Sequence, residues 1–184
     1  AGGITAGTAA LTLAGSSTLK DAVGNNATLT TPLAATNTLA VDAAVPTVSS
    51  ATITATNASD VAKTSTLIAG DKVVVTVKMS ESTTVTGTPT YDIFFGNVKK
   101  TASYTSGSGS DSLVFIYTVG AGDKDTVGGI TAGTAALTLA GSSTLKDATG
   151  NNATLTTPAA ATNTLVVDTA APTVSSATIT ATDA

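Results

Sequence analysis

The chain has 184 residues, a formal net charge of −4 and only 11% charged residues, with no Cys and no His. All eight cations are Lys and they are scattered, which argues against a phosphate-tracking surface and a nucleic-acid partner. No apolar run approaches the ~18 residues of a membrane-spanning helix, and without His or Cys the usual nucleophile–base pairs are unavailable, so neither membrane insertion nor catalysis is expected.

In chain order the first feature is a repeat. Gly2 to Ala58 recurs at 128–184 with an offset of 126 residues, and 51 of the 57 aligned pairs are identical. The six differences are Val23/Thr149, Leu33/Ala159, Ala40/Val166, Ala43/Thr169, Val45/Ala171 and Asn57/Asp183. A period of 126 exceeds the roughly 20–50 residues of a solenoid unit, so each period is expected to be a whole domain. Asp42–Val45 and Asp168–Ala171, each followed by Pro46 or Pro172, read as linkers into a first edge strand. The expected organisation is residues 1–43 as the C-terminal part of one repeat, 44–169 as a complete repeat, and 170–184 as the first strand of the next.

Within the complete period, Val48–Thr56 reads as the first strand, with Ile53 in the core. Asn57–Gly70 reads as a connection. From Lys72 to Met79 the Val73, Val75, Val77, Met79 alternation marks a strand with one buried face. Thr83–Thr86 continues extended, and Gly87–Pro89 turns the chain. Tyr91, Ile93 and Phe95 point inward and Phe94 outward. Gly96-Asn97 is a hairpin signal. Val98–Tyr104 follows, then a Gly/Ser turn, then the period-2 run Leu113, Phe115, Tyr117, Val119. Gly120–Gly129 reads as a loop, and Leu137–Leu139, Leu145, Leu155 and Leu165–Val167 supply the remaining strands. Thr-rich alternation with no 3.6-residue period predicts an all-β fold, an antiparallel β-sandwich repeated in tandem. Joined by four-residue linkers, such domains would form a semi-rigid rod.

The strings GDKVVVTV, SGSGSDSL, LAGSSTLKDATGNNATLT and VDTAAPT together resemble the immunoglobulin-like repeats of giant bacterial cell-surface adhesin and extender proteins. The resemblance spans Ala69 to Val174. It implies an immunoglobulin-like sandwich exported to the bacterial cell surface, whose partners are neighbouring repeats of the same chain and whose task is spacing. An alternative is a subunit of an extracellular fibre, sheath or surface layer, in which other copies of the chain complete exposed sheet edges by strand complementation.

Calcium is the one cofactor for which the sequence offers ligands, because hard cations take several carboxylate and carbonyl oxygens. Asp123 and Asp125 flank Lys124 in one loop. Asp147 with Asn151 and Asn152 forms another, repeated at Asp21, Asn25 and Asn26. Asp168 lies at the linker. Asp, Asn and Gly also serve simply as turn formers. Glu81, the only Glu, reads as an exposed turn residue rather than half of a glycosidase carboxylate pair. Lys146 with Asn151 or Asn152 offers the residue types of an isopeptide cross-link, but nothing in the pattern singles out a pair. Thr-x-Thr runs read as solvent-face strand filler rather than an ice-binding array, and one outward aromatic, Phe94, is too little for a sugar-binding face.

Overall fold

The computed structural model describes residues 4–7, 11–29, 35–37, 39–125, 128–157 and 159–181. It divides into two units, Ala1–Ala43 and Ala44–Ala184. The expectations for Leu33 and Asp183 lie outside the described residues.

In the first unit, β1 (Thr5–Ala6) pairs antiparallel with β2 (Ala35–Thr36). Asp21 organises a tight loop: the Val23 and Asn25 N–H groups donate to its Oδ1 at 3.0 and 2.8 Å, and the Asn25 amide donates to its Oδ2 at 2.8 Å.

The second unit carries the core. Its strands are β3 (Val48–Thr56), β4 (Lys72–Thr86), β5 (Thr90–Phe95), β6 (Val98–Ser106), β7 (Ser110–Thr118), β8 (Lys124–Asp125), β9 (Ile130–Ala132), β10 (Leu137–Thr138), β11 (Thr144–Lys146), β12 (Ala161–Asn163) and β13 (Val167–Asp168). Nine of these form one antiparallel sheet in the order β11-β4-β7-β6-β5-β9-β12, with β3 added on β4 and β10 on β5; β8 and β13 form a separate pair. The sheet curls into a nearly closed, barrel-like sandwich. The Asn163 side-chain amide helps close it by donating to the Ile53 carbonyl at 2.8 Å, β12 to β3. Among the described residues no helix is long and apolar enough to cross a membrane.

The inward row is the one the alternation marks. Val73, Val75, Val77 and Met79 of β4 share one buried cluster with Tyr91, Ile93 and Phe95 of β5, and with Leu113 and Phe115 of β7, which lie beside Val77 and Val75 across the ladder. Phe115 anchors an aromatic group, with Tyr91 at 5.8 Å and Tyr104 edge-on at 5.7 Å between centroids. Tyr104 and Tyr117 sit half-buried at the core margin.

Four strand features differ from expectation. β4 is one 15-residue strand rather than two pieces, and Glu81 lies within it. The strand survives the polar Ser-Glu-Ser stretch because its ladder to β7 shifts register between Lys78 and Thr83, after which β11 takes over the other edge. β8 lies inside the expected loop Gly120–Gly129. β9 and β12 were not marked by any alternation, being three residues each and fixed by their partners. Leu155 lies outside a strand, beside an isolated parallel bridge of Thr154 to Thr47.

Two glycines are required by space. A Cβ on Gly107 would sit 2.0 Å from the Ser112 carbonyl oxygen, and one on Gly129 would sit 2.1 Å from that of Asn163. Both also hold positive φ.

The duplicated sequence shows which elements are local. The pair Thr5↔Thr36, Ala6↔Ala35 repeats the register of Thr131↔Thr162, Ala132↔Ala161. The Asp21 loop repeats the Asp147 loop. The burial does not repeat: Ile130 is 0% exposed and its twin Ile4 52%, while Leu137, Leu145 and Val167 are buried and their twins Leu11, Leu19 and Val41 exposed. The cause is that β10, β11 and β13 pack on β5, β4 and β8, which have no counterpart within Ala1–Ala43. Likewise Val174 to Ala181 has the sequence of Val48 to Ala55 but is exposed and outside any strand, with Ile179 at 98% against 4% for Ile53.

Candidate functional site

The second unit receives and releases the chain at opposite ends. β3 runs antiparallel to β4, with Val48 against Met79 and Thr56 against Lys72. Thr47 exchanges hydrogen bonds with Ser80, and Thr154 N–H donates to the Pro46 carbonyl, so the incoming linker lies at the Met79 end. The outgoing chain lies at the Lys72 end. There Leu67 and Val167 bridge, Asp168 N–H donates to Leu67, and Val119 N–H donates to Asp71. Seven residues of β4 separate these ends, about 23 Å of extended strand.

Each end is organised by a buried carboxylate. At the incoming end Asp147 Oδ1 accepts from the Thr149, Gly150 and Asn151 N–H groups at 2.9, 2.7 and 2.8 Å and from the Thr149 hydroxyl at 2.9 Å. Its Oδ2 accepts from the Asn151 amide at 2.7 Å. That amide also donates to the Ala44 carbonyl at 2.9 Å, tying the loop to the linker. Burial opposes ionisation of Asp147, but the hydrogen bonds from Asn151, Thr149 and Gly150 outweigh it and hold the carboxyl at about 2.

At the outgoing end Asp123 is buried. It pairs with Lys100 at 2.5 Å and accepts from the Tyr117 hydroxyl at 2.7 Å and the Gly120 N–H at 2.8 Å. Burial pushes its pKa up, and these donors more than offset that, so it lies below the usual carboxylate range. The Lys100 ammonium is correspondingly held above its ordinary value, first by its bond to Asp123. Thr169 fastens the departing chain to this loop: its Oγ1 accepts from the Gly122 N–H and donates to the Asp123 carbonyl, both at 2.9 Å. Asp168 shapes the exit by accepting from the Ala170 N–H at 3.0 Å. Nearby Asp71 is ion-paired to Lys63 and accepts from the Ile68 N–H at 2.8 Å.

The five residues expected as cation ligands are therefore not gathered in one place. Asp147 and Asn151 belong to the incoming end, and Asp123, Asp125 and Asp168 to the outgoing end. Asp168 stands opposite Lys124 in the β8–β13 pair, so alternation puts it on the other face from Asp123 and Asp125. Asp125 is a buried β8 residue rather than a loop residue. The oxygens of Asp147 and Asp123 are occupied by N–H, O–H and ammonium donors, the protein's own substitutes for a cation. The Asn151 amide is likewise engaged, and Asn152 faces Lys146 only through a backbone bridge.

Sequence reasoning missed Lys100, Tyr117, Thr149 and Thr169. A signal existed for the two threonines: both are among the six positions at which the copies differ. Near the outgoing end, an open groove of 370 Å³ is lined by Thr54, Ala55, Lys63, Asn163 and Leu165 among others. The cation in it, Lys63, is committed to Asp71.

No described protein family, curated protein or solved structure matches this chain.

Proposed function

We propose that this chain is a non-catalytic spacer from a tandem array of immunoglobulin-like repeats, in a secreted or surface-exposed bacterial protein. The observation that carries the reading is the placement of the linkers. The chain enters and leaves the sandwich at opposite ends, and each linker is hydrogen-bonded to a loop braced by a buried carboxylate. Repetition of such a unit every 126 residues adds length, and anchored linkers limit bending between units. The acidic, Arg-free, Cys-free composition fits an exported protein stabilised by packing.

The test is small-angle scattering on arrays of one to four copies of residues 44–169. A spacer gives a maximum dimension that rises by a constant increment per copy. A dimension that stops growing after two copies would sink the reading.

One observation favours a second reading, assembly through strand complementation. Ile4, Leu11, Leu19, Leu39 and Val41 are exposed although their twins at 130–167 are buried or half-buried. Another copy covering these residues would make the chain self-associate, so sedimentation across a hundredfold concentration range decides between a constant mass and a growing one.

A further inference from the structure

The six differences between the two copies are not spread at random over the site. At two of them the second copy has a threonine where the first has a side chain without a hydroxyl: Thr149 against Val23 and Thr169 against Ala43. Both hydroxyls act at linkers. The Thr149 hydroxyl donates to Asp147 and accepts from the Asn151 amide at 3.0 Å, and that amide holds the Ala44 carbonyl. The Thr169 hydroxyl bridges Gly122 and Asp123, and so spans 46 residues of sequence to hold the first residue beyond β13. Valine at the first position and alanine at the second can make none of these four bonds. The Asp21 loop keeps its backbone bonds with Val23 in place, so the substitution removes the brace and leaves the loop.

We infer that Thr149 and Thr169 are junction latches, and that a repeat carrying Val and Ala at these positions is the unlatched form. The stiffness of a junction then depends on two hydroxyl groups, one from the repeat before it and one from the repeat after it, on an otherwise nearly constant sequence; the 42–45 junction, with Ala43 before it and Thr149 after it, carries one of the two. This rests on the spacer reading for its consequence, but the latch itself is local and is tested separately.

The experiment uses the full 184-residue chain with Thr169→Val, which keeps the shape and removes the hydroxyl, beside Thr169→Ser, which keeps the hydroxyl. Amide hydrogen exchange at Gly122 and backbone ¹⁵N relaxation at Ala170 and Ala171 are the readouts. For Thr169→Val, Gly122 exchanges about tenfold faster, the effect of two modest hydrogen bonds, and Ala170 and Ala171 gain backbone mobility. Thr169→Ser stays close to the parent chain. Thr149→Val is an independent arm that loosens Ala44 and Val45 and leaves Gly122 unchanged. The inference is overturned if Thr169→Val leaves Gly122 and Ala170 as they were. It is also overturned if Thr169→Ser loosens them equally, since the methyl group rather than the hydroxyl would then hold the linker. These amide readouts do not depend on the scattering series, so either idea can fail while the other stands.

Discussion

Ile4 and Ile130 occupy the same place in the two sequence copies, and the structure gives them opposite energetic weights. Ile130 is fully buried in β9, paired across to Phe95, whereas Ile4 is 52% exposed. Truncation to alanine removes three carbons. At ~0.8 kcal/mol per buried methylene this is about 2.4 kcal/mol of transfer free energy, and the cavity left behind raises the cost of Ile130→Ala to about 3–4 kcal/mol. Ile4→Ala should stay within about 0.5 kcal/mol. For a chain of this size about 1 kcal/mol moves the melting midpoint by roughly 2–4 °C, so Ile130→Ala should melt about 10 °C lower and Ile4→Ala within a couple of degrees of the parent. Melts are followed for both variants by far-ultraviolet circular dichroism, which reads the strands of either unit, and for Ile130→Ala also in the near ultraviolet, where all six aromatic residues, Tyr91 to Tyr117, report on the sandwich. Equal shifts for the two variants would refute the account of why identical sequences differ in burial.

Three further outcomes follow from the same geometry. Asp147 titrates at about 2 in the folded chain against 3.8 unfolded, so its contribution is complete above pH 4 and is lost as the pH falls towards 2; a carboxyl-carbon NMR titration with a midpoint near 4 would contradict this. Asp123→Ala strands Lys100 and the Tyr117 hydroxyl and should cost roughly 2–4 kcal/mol in urea unfolding, whereas Asp92→Ala, which breaks a half-exposed pair with Lys99 and a bond from the Thr101 hydroxyl, should cost about 1 kcal/mol. Gly129→Ala collides with the Asn163 carbonyl and should destabilise the sandwich by more than about 3 kcal/mol. Gly122→Ala has open space and only the positive-φ strain of about 1 kcal/mol, so thermal melts should rank the two clearly.

What the sequence made legible was whatever one segment determines by itself. The alternation of Val73 to Met79 and of Leu113 to Val119 marked the strands that bury one face, and Pro46 with Val48–Thr56 marked the first edge. The Asp147–Asn151 loop was visible as an oxygen-rich turn because its bonds are nearly all within five residues; its twin at Asp21 keeps those bonds in a different setting. Strands β8, β9 and β12 were not legible, because these short segments carry no alternation of their own and acquire strand geometry only from partners far along the chain. The same limit applied to the site. Asp123 was recognisable as an acid, but Lys100 and Tyr117, whose donors meet its charge, and Thr169, which holds its backbone carbonyl, arrive from three other stretches of sequence.

The direction of β3 relative to the outgoing chain has a mechanical consequence. Tension applied through Pro46 and Asp168 runs along the strand axes, because the two points lie at opposite ends of β4. The β3–β4 ladder, from Val48↔Met79 to Thr56↔Lys72, is then loaded in shear, so its hydrogen bonds must yield together instead of being peeled one at a time. A sandwich pulled in this geometry resists extension until the whole ladder slips, and a string of them would take up load in discrete steps, one repeat at a time.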